Sequence, residues 1–208
     1  MAERLIDRSL RAFSDDLASD APVPGGGSAS ALAGAMGAAL AAMVARIAMK
    51  KAGGEALRDY VAEMDNLRAD FLRLVDDDSA AYARVAEALK LPRASDAEKA
   101  VRTERVQAAL LAASRVPLEL ARTSRRLLDA CERGLETAPA AAVSDVGVGA
   151  LLAEAALEGA AMNVMINLAS VKDRGQVKAL SEDLDGALEG ASAQRKRITD
   201  FVQSRIAR

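Results

Sequence analysis

Residues 25–45, "GGGSASALAGAMGAALAAMVA", carry no charged side chain, and most of them are glycine or alanine. Nothing constrains the fold more than this run. A helix with no charged face is expected to be buried all round. Leu32, Met36, Leu40, Met43 and Ile47 make one larger apolar stripe, while Gly34, Gly37, Ala38, Ala41 and Ala45 leave the rest nearly flat. Each interior glycine costs about 1 kcal/mol relative to alanine, so the pair points to a close approach by a neighbouring backbone or a flat ligand. The run is long enough to span a membrane. Its weakly apolar composition and Arg46 near its end argue for a soluble core helix instead, with no membrane partner.

Breaks are few: "APVPGGG", "KAGGE", "LPRASD", "GLETAPA" and "KDRG". Between them no strand alternation appears, and helix formers dominate. The expectation is one domain over residues 1–208, an all-α antiparallel bundle of about six helices near 3–19, 28–50, 55–90, 96–133, 143–171 and 175–206. Pro117 is expected to kink or split the fourth. In the third, Met64, Leu67, Phe71, Leu74, Val85 and Leu89 recur at three- and four-residue spacing.

The chain contains no histidine, which excludes a histidine triad, a histidine base and most catalytic zinc sites. Acid–base work near neutral pH therefore falls to a carboxylate, a lysine, a tyrosine or the single Cys131. One cysteine forms no internal disulfide, which fits a reducing, cytoplasmic setting. The charged N-terminus "MAERLIDRSL" does not read as a secretory signal. A net charge of −2 and 2% aromatic residues give no reason to expect nucleic-acid binding.

Two features carry chemistry. Extending the third-helix stripe from Phe71 by seven residues reaches Asp78, and seven more reach Val85; Asp76 and Asp77 fall to the side. Burial disfavours the charged carboxylate, so Asp78 should have a raised pKa, as acid–base catalysis requires. A buried structural aspartate is the alternative. The second feature is a meeting of polar groups with smooth surfaces. Pro24, Gly25, Gly26 and Gly27 lead into Ser28, a plausible N-cap, and the helix start offers free amides and a positive dipole end. In the fifth helix Asn163 and Asn167 share a face that Gly159, Ala156, Leu152 and Gly149 continue toward Asp145. Glu154 and Glu158 lie on another face, expected to be solvated. Together these describe a slot for a flat, polar, hydrogen-bonding molecule.

The pieces "PVPGGGSASALAGAMGAALAAMVA", "LVDDDSAAYARVAEALKLP", "RVPLEL", "SDVGVGALL" and "MNVMINLASVKD" resemble the cyclodeaminase/cyclohydrolase family, in family order and over nearly the whole chain. The resemblance implies a helical homodimer with a folate site at the subunit interface, and Asp78 as the family's catalytic aspartate. It implies hydrolysis of 5,10-methenyltetrahydrofolate to 10-formyltetrahydrofolate, or cyclodeamination of 5-formiminotetrahydrofolate with release of ammonia. No separate cofactor is implied; the folate is the substrate.

On that resemblance, Asn163, Asn167 and the "GGGS" backbone are expected to bind the pterin. Lys50, Lys51, Lys172 and Arg174 are expected to meet the glutamate tail of a reduced folate, polyglutamylated or not. The alternative for these four is ordinary charge pairing at helix ends. One departure stands out: the relatives place an aromatic after the basic pair, whereas "MKKAGGEAL" has Ala52 and two glycines. With no formiminotransferase stretch in the sequence, cyclohydrolysis is the expected reaction. Cyclodeamination is the alternative, and a non-catalytic folate-binding or interaction bundle a further one.

Overall fold

In the computed structural model the described residues are 4–52 and 57–207. Among them the chain forms helices α1 (Leu10–Leu17), α2 (Gly26–Ala52), α3 (Arg58–Leu89), α4 (Asp96–Gly134), α5 (Val143–Leu168), α6 (Arg174–Leu188) and α7 (Ala191–Ile206), with no strand. Short 3-10 turns precede α1 and α5.

The close pairs are antiparallel. Along α2, Gly26, Ser30 and Gly37 face Asn163, Gly159 and Gly149 of α5. On its other side Ser28 bonds to the Val75 carbonyl and Gly34 meets the Phe71 ring of α3. Helix α4 runs back along α3, from Glu119 near Arg73 to Arg133 at Glu63, and α5 returns along α4. Helices α6 and α7 pack outside this four-helix layer, joined to it by Arg122–Asp183 and Arg195–Glu154.

The charge-free helix is not buried all round. Its small side inserts into the core, with Ala31, Ala35, Ala38, Ala41 and Ala42 each at most 4% exposed, while Met36 and Met43 are 45% and 39% exposed. The small residues let α3 and α5 approach, and of the larger stripe Leu32 and Ile47 still pack against the core while the two methionines face outward. A Cβ on Gly34 would stand 2.3 Å from the Phe71 ring, and one on Gly37 would stand 3.0 Å from the Gly149 carbonyl. The two smooth faces expected to form a slot therefore pack on each other. Both α2 and α5 have the length and composition of a membrane span, yet half of each apolar stretch is buried inside this bundle.

Three further expectations change. Helix α4 continues through Pro117 without splitting. The final helical stretch is divided at Gly190, whose φ of 68° lies in the left-handed region that favours glycine. In α3 the buried stripe drifts from Phe71, Leu74 and Val75 to Ala81 and Ala88, leaving Leu89 exposed. The seven-residue series Leu67, Leu74, Ala81 and Ala88 stays buried throughout, whereas Asp78 and Val85, which continue from Phe71, are only partly covered.

Candidate active site

A cavity of about 340 Å3 opens at the end of the bundle where α2 begins and α5 finishes. The segment Pro22–Gly27, the faces of α3 and α5, and Leu110 and Ala113 of α4 enclose it. Asp78 lies in its wall, half-buried, one helical turn before Tyr82.

The carboxyl is held from one side by Ser28. The Ser28 backbone N–H and hydroxyl each lie 3.0 Å from Asp78 Oδ2. The hydroxyl is also 2.9 Å from the Val75 carbonyl and 3.3 Å from the Ser79 hydroxyl. Burial pushes the Asp78 carboxyl above its ordinary value of 3.8, and the two Ser28 bonds pull against that rise. The start of α2 adds its positive dipole end on the same side. Asp78 is thus a carboxyl whose proton affinity is raised by its surroundings and whose anion still has donors in place.

Glycine is required at 27 by proximity: a Cβ there would stand 2.1 Å from Asp78 Oδ1. At Gly26 a Cβ would meet Asn163 Nδ2 at an ordinary 3.8 Å. Asn163 Nδ2 donates to the Gly159 carbonyl at 2.8 Å, and Asn167 Nδ2 donates to the Ala113 carbonyl at 3.1 Å.

Asp78, Gly25, Gly26, Gly27, Asn163 and Asn167 all line this cavity. Ser28 does not; it is fully buried inside the first turn of α2, not at an N-cap, and acts on Asp78 rather than on the cavity. Pro24 is buried behind the lining residues Val23 and Gly25. Asp76 accepts the Leu5 amide and Asp77 pairs with Arg73, so neither shares the site.

Lys50 and Asp145 do not reach the cavity within one chain. Helical rise puts Lys50 about 36 Å from Gly26, and Asp145 about 27 Å from Asn163. Lys172 is exposed just beyond α5, at the cavity end, where its amide donates to Gln107. Arg174 is exposed at the start of α6. The side chain of Lys51 lies outside the described residues. Glu154, expected to be solvated, pairs with Arg195 at 2.6 Å on a largely covered surface. Tyr82, Ala81 and Val85 were missed as lining residues, although four, three and seven residues after Asp78 are the positions that share its helix face.

An all-helical fold with one carboxyl and two carboxamides around a cavity defines an acid–base site without histidine. The family model described as Formiminotransferase-cyclodeaminase matches residues 9–186. The chain is 37% identical over 204 residues to a methenyltetrahydrofolate cyclohydrolase of Methylorubrum extorquens, covering 96% of this chain and 98% of that one. It is 31% identical over 207 residues to the formimidoyltransferase-cyclodeaminase of Rattus norvegicus, covering 98% of this chain but 38% of that longer protein. A crystal structure of formiminotetrahydrofolate cyclodeaminase from Thermotoga maritima superposes with a TM-score of 0.82 at 29% identity, over 95% of this chain and 96% of that one. The chain belongs to the formiminotransferase-cyclodeaminase family, and it is an enzyme of the cyclohydrolase or cyclodeaminase kind.

Proposed function

We propose that this protein hydrolyses 5,10-methenyltetrahydrofolate to 10-formyltetrahydrofolate, with Asp78 as the proton carrier. The observation that carries the reading is the Asp78 carboxyl, raised in proton affinity and standing in the wall of a cavity of about 340 Å3, in a chain similar end to end to a stand-alone cyclohydrolase. Asp78 takes a proton from water as the oxygen bonds to the methenyl carbon. It returns that proton to N5 as the carbon–N5 bond breaks, and the carbinol proton leaves to solvent. The folate is the substrate, and no separate cofactor enters these steps. The amides that open α2 and the two asparagines hold the pterin, and Lys172 at the cavity end meets the glutamate tail.

The active form in this reading is a cytoplasmic homodimer. Met36 and Met43 of α2 and Val148, Leu151, Met162, Met165 and Ile166 of α5 leave apolar side chains exposed on two helices that pack together. A two-fold pairing with the α2 helices antiparallel would carry the Lys50 end of one protomer toward the cavity end of the other. That arrangement would give Lys50, Lys51 and Asp145 a route to the substrate.

Cyclodeamination is the second reading, favoured by the likeness to the Thermotoga maritima cyclodeaminase. There Asp78 would protonate the departing ammonia after N10 attacks the formimino carbon. The deciding experiment follows methenyl absorbance with purified protein against an Asp78→Asn control. Loss of absorbance from 5,10-methenyltetrahydrofolate, faster than the spontaneous and variant rates, supports hydrolysis. A rise from 5-formiminotetrahydrofolate with ammonia released supports deamination and overturns the first reading. No difference from the variant with either substrate leaves a folate-binding or interaction bundle.

A further inference from the structure

Pro117 lies inside α4 and is buried there. Proline has no amide hydrogen, so the carbonyl four residues earlier loses its helical donor. That carbonyl belongs to Ala113, whose residue lines the cavity. Its donor comes instead from α5, where Asn167 Nδ2 lies 3.1 Å away. A carbonyl only accepts, so this bond fixes which end of the Asn167 carboxamide faces α4. Asn163, one turn earlier and also in the cavity wall, is fixed in the same sense by the Gly159 carbonyl. Each nitrogen gives one of its two hydrogens to a backbone oxygen, which turns Oδ1 away from that carbonyl as the acceptor a ligand can meet.

We propose that Pro117 is a positioning residue: it frees the Ala113 carbonyl so that Asn167 is held with its oxygen toward the cavity, and Asn163 and Asn167 together accept N–H donors of the ligand. The identity of those donors rests on the folate reading. A tetrahydropterin offers them at its 2-amino group, N3 and N8. The α5 wall then selects a nitrogen-rich edge that donates, while the amides that open α2 and the Asp78 carboxyl deal with the rest of the molecule. The sequence piece "RVPLEL" acquires a role that no contact between Pro117 and substrate would reveal.

The test is a double-mutant cycle of Pro117→Ala and Asn167→Ala, reading KM and kcat for 5,10-methenyltetrahydrofolate together with Tm. Alanine at 117 restores an amide that competes with Asn167 for the Ala113 carbonyl. In the wild-type background KM should rise about tenfold with kcat changed less than about twofold, and in the Asn167→Ala background Pro117→Ala should add nothing. Additive effects on KM, or a change in Tm with KM untouched, would overturn the proposal.

Asn167→Asp covers the case in which Pro117→Ala does not fold, because a carboxylate presents an acceptor oxygen to the cavity whichever way it turns. It should raise KM less than Asn167→Ala does, and a rise as large as that of Asn167→Ala would count against the idea. The orientation is also read without turnover, from side-chain amide NMR. One Asn167 Nδ2 proton should be protected from exchange in wild type and released in Pro117→Ala. A wild type inactive on both folates, with that proton protected, removes the folate reading and supports the positioning. An active wild type with that proton unprotected removes the positioning alone.

Discussion

The Ser28 hydroxyl stands between two acceptors, Asp78 Oδ2 at 3.0 Å and the Val75 carbonyl at 2.9 Å, and it has one hydrogen to give. When Asp78 is ionised, that hydrogen stabilises the anion. When Asp78 is protonated, the hydroxyl can turn to Val75 and accept from the acid. Ser28 therefore serves both protonation states without moving its oxygen. Removing the hydroxyl costs the anion a charge-assisted donor and the acid only a neutral acceptor, so Ser28→Ala should raise the Asp78 pKa further. Hydrolysis needs the ionised base, so the acid limb of the kcat/KM profile should move to higher pH while the plateau keeps most of its rate. A limb that stays in place, or moves to lower pH, contradicts this role.

Asp78→Asn should cost about 10²- to 10⁴-fold in kcat, the range expected for one acid–base group. It should also stabilise the fold, with a defined pH dependence. The folded carboxyl is raised above its ordinary value of 3.8 by burial. Below that value both folded and unfolded chains hold the proton, and Asp78 costs nothing. As pH rises, the unfolded chain ionises first, so stability is lost through the folded pKa. Thermal melts should show the variant above wild type at pH 7, and the gap closing as pH falls below about 4. A gap that widens in acid would mean that the folded carboxyl is held down instead.

Gly26 and Gly27 are neighbours with unlike tolerances. A Cβ at 27 would lie 2.1 Å from Asp78 Oδ1, whereas one at 26 would meet Asn163 at 3.8 Å. Gly27→Ala should expel the carboxyl from its place beside Ser28 and lower stability by about 1–3 kcal/mol. Its kcat should fall nearly as far as that of Asp78→Asn. Gly26→Ala should keep the fold and most of kcat, and any loss should appear in KM. Equal effects of the two alanines on kcat would argue against a displaced Asp78.

The helical class and the carboxyl were legible because both rest on local periodicity. Phe71, Asp78 and Val85 lie two turns apart, and the structure sets Phe71 in the core and the other two against the cavity. Gly25–Gly27, Asn163 and Asn167 were legible as a group because glycine is costly in a helix and a buried carboxamide needs partners, so both point to something that uses them. Lys50 and Asp145 were not: a place at a helix end for the one and a shared helix face for the other say nothing about reach along 27–36 Å of helix, estimated at about 1.5 Å per residue. Of the kink or split expected at Pro117, the split does not occur: α4 continues, and Asn167 supplies the donor that the proline removes. The break at Gly190 lacked the proline or second glycine that marked most of the other turns. Helix α2 was expected to be buried all round, but only its small side packs against α3 and α5, as its interior glycines suggested, and Met36 and Met43 are exposed.

Gly34 tests that packing directly. Its missing Cβ is the space occupied by the fully buried Phe71 ring, 2.3 Å from where the carbon would sit. Gly34→Ala should destabilise by about 1–3 kcal/mol despite the better helix propensity of alanine. Melting should fall by about 2–4 °C for each kcal/mol in a chain of this size. Phe71→Leu alone opens space and should also destabilise. In the double variant the leucine leaves room for the new methyl, so the loss should be smaller than the sum of the two. A strictly additive loss would mean that the ring and the glycine are not in contact.

The exposed apolar residues on α2 and α5 yield the last prediction. Met43 and Leu151 are 39% and 48% exposed and lie away from the Asp78 cavity. On a free surface, replacing either with glutamate should change stability within about 0.5 kcal/mol. In a dimer interface the same charge is buried without a partner, which is strongly unfavourable. Sedimentation should therefore show wild type as a dimer and the Met43→Glu, Leu151→Glu variant as a folded monomer. If the partner completes the folate site, that monomer should lose activity although its own Asp78, Asn163 and Asn167 are intact, and KM for a polyglutamylated folate should suffer most. A monomeric wild type removes the dimer from the proposal. A monomeric variant with undiminished activity keeps the dimer but places the whole site in one chain.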